Sequence, residues 1–227
     1  MSVANAVKTP SQTIANPSRP ESDSERLQRL RKLSEANPGQ AKDQTWAWLR
    51  ELQDPSQHYR LSWVFAQGSA PEAPEGDCEG IVMNLYGALW LNGMDKLVRL
   101  GQLLGGIGWT GKTFNRKAGT GYNRLTTSSR FAAMLTMPGY KFETINNELI
   151  GFHFFHAIEN SPLPPHALVR SIKYDAPVHA NPLVLPRTRD ELVEIVPGVY
   201  LGRALLRGSH DWKVVGYFGL RYPKGGQ

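Results

Sequence analysis

Two histidines in one aromatic run, Gly151-Phe152-His153-Phe154-Phe155-His156, are the residues of this chain that most directly invite a chemical reading. Histidine titrates near neutral pH and can move a proton or bind a metal. Three residues apart in a regular strand, His153 and His156 point to opposite faces, so they do not share a metal unless a bulge intervenes. An inward-facing one would serve as the proton-transfer group, with Tyr86, Tyr122 or Tyr200 donating hydrogen bonds to a developing oxyanion. The competing role is a core histidine held by a backbone carbonyl. His166, His179 and His210 fall in Pro-rich or turn segments.

Nucleophilic catalysis finds no support. Cys78 is the single cysteine, and its acidic context Glu75-Gly76-Asp77-Cys78-Glu79 raises a thiol pKa. There is no Gly-x-Ser-x-Gly and no His-Glu-x-x-His. Between Lys96 and Ser171 the only acids are Glu143, Glu148 and Glu159, which leaves paired-carboxylate chemistry without partners. The chemistry that remains is polarisation of a bound carbonyl by Tyr, His and Lys/Arg, as in a cofactor-independent lyase, isomerase or cyclase. No cofactor and no metal are expected.

The positive charge is concentrated. From Lys96 to Phe142 there are 8 Lys/Arg and no acid, interleaved with Trp109, Phe114, Tyr122, Phe131 and Tyr140. Such a segment reads as an anion-binding surface with apolar walls, as a solvated basic face, or as a nucleic-acid surface. The last finds no support, since no RNP, KH or zinc-finger signature accompanies the charge. Lys112 or Arg124 would meet a ligand carboxylate, and Trp109, Arg203 and Tyr217 complete the ligand-binding candidates. The expected partner is a small lipophilic or aromatic anion.

Residues Gly106-Ile107-Gly108-Trp109-Thr110-Gly111-Lys112-Thr113 match the phosphate-loop pattern G-x-x-x-x-G-K-[ST] at every fixed position. That loop works only where a strand feeds it and a helix starts at the Lys. Here a Leu pattern of helical period precedes it, and Lys117-Ala118-Gly119-Thr120 follows with turn character. The segment reads instead as glycines around Trp109 opening a strand. With these residues the chain resembles a group of uncharacterised bacterial proteins carrying a Gly-x-Trp-x-Gly motif and, more loosely, lipocalin-like barrels. Pro197-Gly198-Val199-Tyr200-Leu201-Gly202-Arg203 and Gly216-Tyr217-Phe218-Gly219-Leu220-Arg221 look like the closing hairpin of such proteins. The resemblance implies a small antiparallel barrel around an apolar ligand, with no settled reaction.

These candidates need elements to position them. Residues 1–20, rich in Ser, Pro, Asn, Thr and Ala, are expected to be a disordered tail. Ser22 and Glu25 have capping-box spacing, and Leu27, Leu30 and Leu33 recur on one helical face before Asn37-Pro38-Gly39. A second helix from Ala41 to Leu52 completes a helical hairpin over 21–54. From 55 to 227 a β-barrel domain is expected. Its candidate strands are Tyr59–Ala66, Glu79–Tyr86, Thr110–Arg116, Gly121–Thr126, Tyr140–Asn146, Glu148–Ile158, Ala167–Asp175, Val193–Arg207 and Asp211–Tyr222. Residues 88–104 carry helical spacing instead. Lys112 and Arg124 should lie on adjacent strands of a hairpin that pairs Arg116 with Gly121 and sets Lys112 opposite residue 125. In the last strand Trp212, Val214, Phe218 and Leu220 share one side and Lys213, Tyr217 and Arg221 the other, and either could face inward. The fold class expected is α+β, mainly antiparallel β: a closed or nearly closed barrel with an N-terminal helical hairpin and one internal helix.

A chain of 227 residues with 41% hydrophobic and 20% charged residues can bury a core, and no stretch reaches bilayer-spanning length. One cysteine and an N-terminus without an apolar signal core fit a cytoplasmic location. The oligomeric state is left open.

Overall fold

A computed structural model describes residues 20–72, 74–85, 108–130, 137, 139–164, 166–182 and 185–222. Helix α1 (Asp23–Ala36) opens with the expected capping box. Ser22 Oγ accepts from the Glu25 amide at 3.3 Å, and Glu25 Oε2 accepts from the Ser22 amide at 2.8 Å. Asn37 ends α1 and caps α2 (Pro38–Glu51), its Oδ1 accepting from the Gln40 amide at 3.0 Å. Removing the first cap by Ser22→Ala is expected to cost about 1 kcal/mol, read as a shift in the urea midpoint with an unchanged slope.

The expected strand Tyr59–Ala66 is corrected to a helix, α3 (His58–Gln67). Its buried residues Leu61, Val64 and Phe65 follow helical spacing, which outweighs the β propensity of its aromatic and branched side chains. The expected helix over 88–104 lies outside the described residues.

Among the described residues nine strands follow: β1 (Gly76–Leu85), β2 (Trp109–Asn115), β3 (Thr120–Thr126), β4 (Glu143–Ile145), β5 (Glu148–Asn160), β6 (Leu168–Lys173), β7 (Thr188–Val196), β8 (Val199–Arg207) and β9 (Trp212–Arg221). Neighbours run β3-β2-β1-β9-β8-β7-β6-β5, and β3 pairs with β5 from Thr120↔Phe155 to Thr126↔Glu148, closing an antiparallel barrel of eight strands. The short β4 pairs with β5 outside that ring. Asn146 and Asn147, both at positive φ (48° and 64°), make the tight turn between β4 and β5. The single strand expected over Val193–Arg207 is instead two. Pro197 cannot donate to a ladder and Gly198 sits at φ 78°, so the chain reverses there.

The β2–β3 hairpin exists, one residue per strand away from its expected register. Lys112 pairs with Asn123 and Asn115 with Thr120. Asn115 Oδ1 accepts from the Ala118 amide at 2.9 Å, which fixes the turn over residues 116–119. Lys112 lies within a strand and starts no helix, so the phosphate-loop geometry is absent.

Among the described residues the buried apolar side chains form two clusters. The first fills the barrel, with Cys78, Phe114, Leu125, Phe154, Ile172, Leu192, Tyr200 and Leu220 each supplied by a different barrel strand. The second lies between the helices and the outer face of β7–β9, where Trp46, Trp48 and Leu49 meet Val193, Ile195, Leu201 and Tyr217. In β9 Phe218 and Leu220 point inward and Tyr217 outward, but a register shift between Gly216 and Val214 breaks the expected alternation, and Val214 packs with Tyr217 on the outer side rather than with Phe218. No helix among the described residues is long and apolar enough to cross a membrane.

Candidate functional site

At the centre of the barrel a lysine is sealed in by rings. Lys112 on β2 is 3% exposed. Its Nζ donates to Asn123 Oδ1 of β3 at 2.8 Å and to Tyr174 Oη, just past β6, at 2.6 Å, and lies 3.0 Å from Asp190 Oδ2 of β7. An ammonium has three protons, so this set of three acceptors satisfies it. The Tyr174 hydroxyl in turn donates to Asp190 Oδ2 at 2.7 Å, and Asn123 Nδ2 to the Phe152 carbonyl at 3.0 Å. Trp109, Phe154, Tyr174 and Phe218 surround the ammonium, with ring centroids 5.8, 5.3, 5.3 and 5.3 Å from Nζ.

A β-bulge makes this possible. Trp109 and Lys112 are three residues apart and would face opposite ways on a regular strand. The register shift between Trp109 and Gly111 turns both inward. Trp109 then donates from Nε1 to Asn123 Oδ1 at 3.1 Å and packs edge-on against Phe218 at 5.7 Å. It is only partly buried.

Burial drives the electrostatics. It holds the Lys112 amine below the usual lysine range, with the Asp190 carboxylate opposing. Burial, and then the Asp190 charge, push the Tyr174 hydroxyl well above the usual tyrosine range. Lysine, tyrosine and aspartate thus form a short hydrogen-bonded circuit in apolar surroundings, able to pass a proton among its members.

The other candidates are placed as follows. His156 faces inward, with Phe154 between it and the lysine. Arg170 lies 3.1 Å from His156 Nδ1, and because arginine only donates, Nδ1 is the acceptor. Burial, then Arg170, keep His156 below its ordinary pKa and therefore neutral. Tyr200 also faces inward, 6.2 Å from Tyr222, its hydroxyl raised by burial. His153 and Tyr122 lie on the outer side of the barrel, rings 5.8 Å apart, and His153 stacks on His179 at 5.9 Å. The two histidines of the aromatic run therefore occupy opposite faces, as their spacing requires. Tyr86 lies outside the described residues.

The shared cavity for Lys112 and Arg124 is corrected. Arg124 is on the adjacent strand but points outward, donating to Glu148 Oε2 and to the Cys78 carbonyl, both at 2.9 Å. Arg203 and Tyr217 are likewise outside the barrel, beneath α3. Arg203 lies 4.3 Å over the Phe65 ring and donates to Glu191 Oε2 at 2.9 Å, and Tyr217 meets the same ring at 6.4 Å. Of the ligand-binding candidates, the structure brings together Trp109 and Lys112. Asn123, Tyr174 and Asp190 were missed, since a lone Asp beside Arg189 and Glu191 carries no sign of its burial in the sequence. Among the described residues no group of three or more metal-ligating side chains forms a metal site.

Cys78 is inside the barrel too, and burial is the main cause that pushes its thiol up to about 12. No reaction with an aromatic disulfide is expected at neutral pH until the chain unfolds. A thiol whose folded pKa exceeds its unfolded value contributes its full stability below the ordinary 9.0 and loses it as pH rises toward 12. Within that window the folded state should lose about 1.4 kcal/mol per pH unit through this group. Comparing urea stability of the wild type with Cys78→Ala isolates the slope.

Fold and site together define a closed antiparallel β-barrel of a kind consistent with small-molecule binding. No protein-family model, curated protein or solved structure gives a significant match to this chain.

Proposed function

We propose that the barrel binds a lipophilic or aromatic small molecule whose oxygen-bearing end, a carboxylate or a carbonyl, is received at Lys112. The observation that carries this reading is the Lys112–Asp190 pair at 3.0 Å within an aromatic cage. A buried ion pair is a poor source of stability compared with apolar packing, so its place at the centre of the barrel favours a role in recognition. Rings supply apolar contact, and a few convergent polar atoms fix orientation. A carboxylate ligand would require Asp190 to take up a proton as it binds. The same reading makes the protein a lipocalin-like barrel acting in the cytoplasm, supported by the closed ring of strands and by the unpaired Cys78.

A second reading, a cofactor-independent lyase, isomerase or cyclase, is favoured by the hydrogen bonds linking Lys112, Tyr174 and Asp190, which join an acid to a base in one contact. Thermal-shift measurements with a panel of fatty and aromatic acids and ketones test the binding reading. A ligand at a hundredfold excess over its Kd should add about 2.7 kcal/mol of stability, and Lys112→Met should remove the increment. No shift across the panel, with empty protein in native mass spectra after purification from its own host, would sink it.

A further inference from the structure

We propose that Lys112 condenses with the carbonyl group of an apolar aldehyde or ketone, and that the resulting iminium is neutralised by Asp190. The inference rests on the reading of the barrel as a small-molecule site and names the class of ligand for it. Lys112 is already neutralised by Asp190 at 3.0 Å. A carboxylate ligand would bring a second anion beside that aspartate, whereas a neutral carbonyl brings none. The apolar cage also makes the free amine accessible, because passing one proton from Nζ to the touching carboxylate removes two charges that the rings solvate poorly.

The step balances within the circuit. The Nζ lone pair forms the N–C bond, and the carbonyl π pair moves onto oxygen. That oxygen takes a proton from Tyr174, 2.6 Å from Nζ, and Tyr174 recovers one from the protonated Asp190 at 2.7 Å. The carbinolamine, with two protons on Nζ, then loses its hydroxyl together with one of them as water, and the other stays on the iminium nitrogen. One ammonium and one carbonyl become one iminium and one water. The cation remains opposite the Asp190 carboxylate, so the site has the same charge before and after. The iminium occupies the position of the ammonium, where the faces of Phe154, Tyr174 and Phe218 stabilise a cation. Rings that exclude bulk water also protect it from hydrolysis.

Incubation of the full chain with benzaldehyde and cyanoborohydride at neutral pH, followed by peptide mapping, tests the proposal. One benzyl group on Lys112 is expected, formed about tenfold or more faster than on Lys213, whose side chain is 64% exposed. Tyr174→Phe, which keeps the ring and removes the hydroxyl, should slow labelling of Lys112 and leave that of Lys213 unchanged. Thermal shift with benzyl alcohol, which carries the same ring and forms no imine, runs in parallel. Stabilisation by benzyl alcohol with labelling confined to exposed lysines would overturn the iminium and leave the binding reading standing. Absence of both would overturn the two together.

Discussion

Asp190→Ala is expected to destabilise the folded chain by about 3–5 kcal/mol, because it leaves the Lys112 ammonium buried without its counter-charge. Lys112 and Asp190 are 3% and 8% exposed at the side chain, so water cannot replace the missing partner. The double variant Lys112→Met/Asp190→Leu removes both charges and fills the space with apolar atoms, and it should recover most of that loss. Urea unfolding of Lys112→Met, Asp190→Leu and the double variant gives the coupling directly. The double variant should also be folded yet blind to ligand, which separates what the pair does for binding from what it does for stability. A single-variant loss below about 1 kcal/mol, the range of exposed pairs, would mean that solvent reaches the site.

Gly111→Ala should be comparably severe, on the order of 2–6 kcal/mol when overpacking and backbone strain act together. At φ 145° a Cβ on residue 111 would stand 1.9 Å from the Cys78 carbonyl oxygen of the neighbouring strand. Backbone on backbone cannot give way by a rotamer change, so β1 and β2 would have to part. Gly76→Ala provides the control. Its φ is 75° and nothing lies within 4 Å of the added atom, so it bears the backbone strain alone. Thermal melts followed by circular dichroism should rank Gly111→Ala well below Gly76→Ala; equal melting temperatures would show that the β1–β2 approach is loose.

Gly111 also shows how far the sequence could be read. Glycines around Trp109 were recognisable as the opening of a strand, and the turn at residues 116–119 had its glycine in view. What alternation cannot reveal is a bulge. The extra residue at Thr110 reverses the parity on which every inward or outward assignment along β2 depends. The acid-free basic segment was plain in composition, yet its members divide by strand parity: Lys112 enters the core, Arg124 pairs with Glu148 on the outer side, and Arg116 joins the hairpin turn. Nothing local distinguishes them. Asp190 meets Lys112 only because the closed ring brings β7 across from β2. The helix α3 went unread because Tyr59, Trp63, Val64 and Phe65 are favoured in strands, and only the helical spacing of its buried positions tells otherwise.

The route by which the ring closes bears on how the chain comes to be folded. β1 has β9 as a neighbour, and Arg221 of β9 bonds Glu79 across 142 residues of sequence and Asp43 across 178. Contacts of such separation form late, since the entropy of closing a long loop is lost before any of them can contribute. On the ribosome the helices α1–α3 emerge well before β7, β8 and β9, which with β1 supply the surface they cover. Throughout most of synthesis Trp46, Trp48 and Leu49 therefore lack most of their docking face, and β1 lacks one of its two neighbours. The chain during translation exposes an apolar helical layer and an open strand edge, the features that recruit holding chaperones and that seed aggregation when synthesis outruns them.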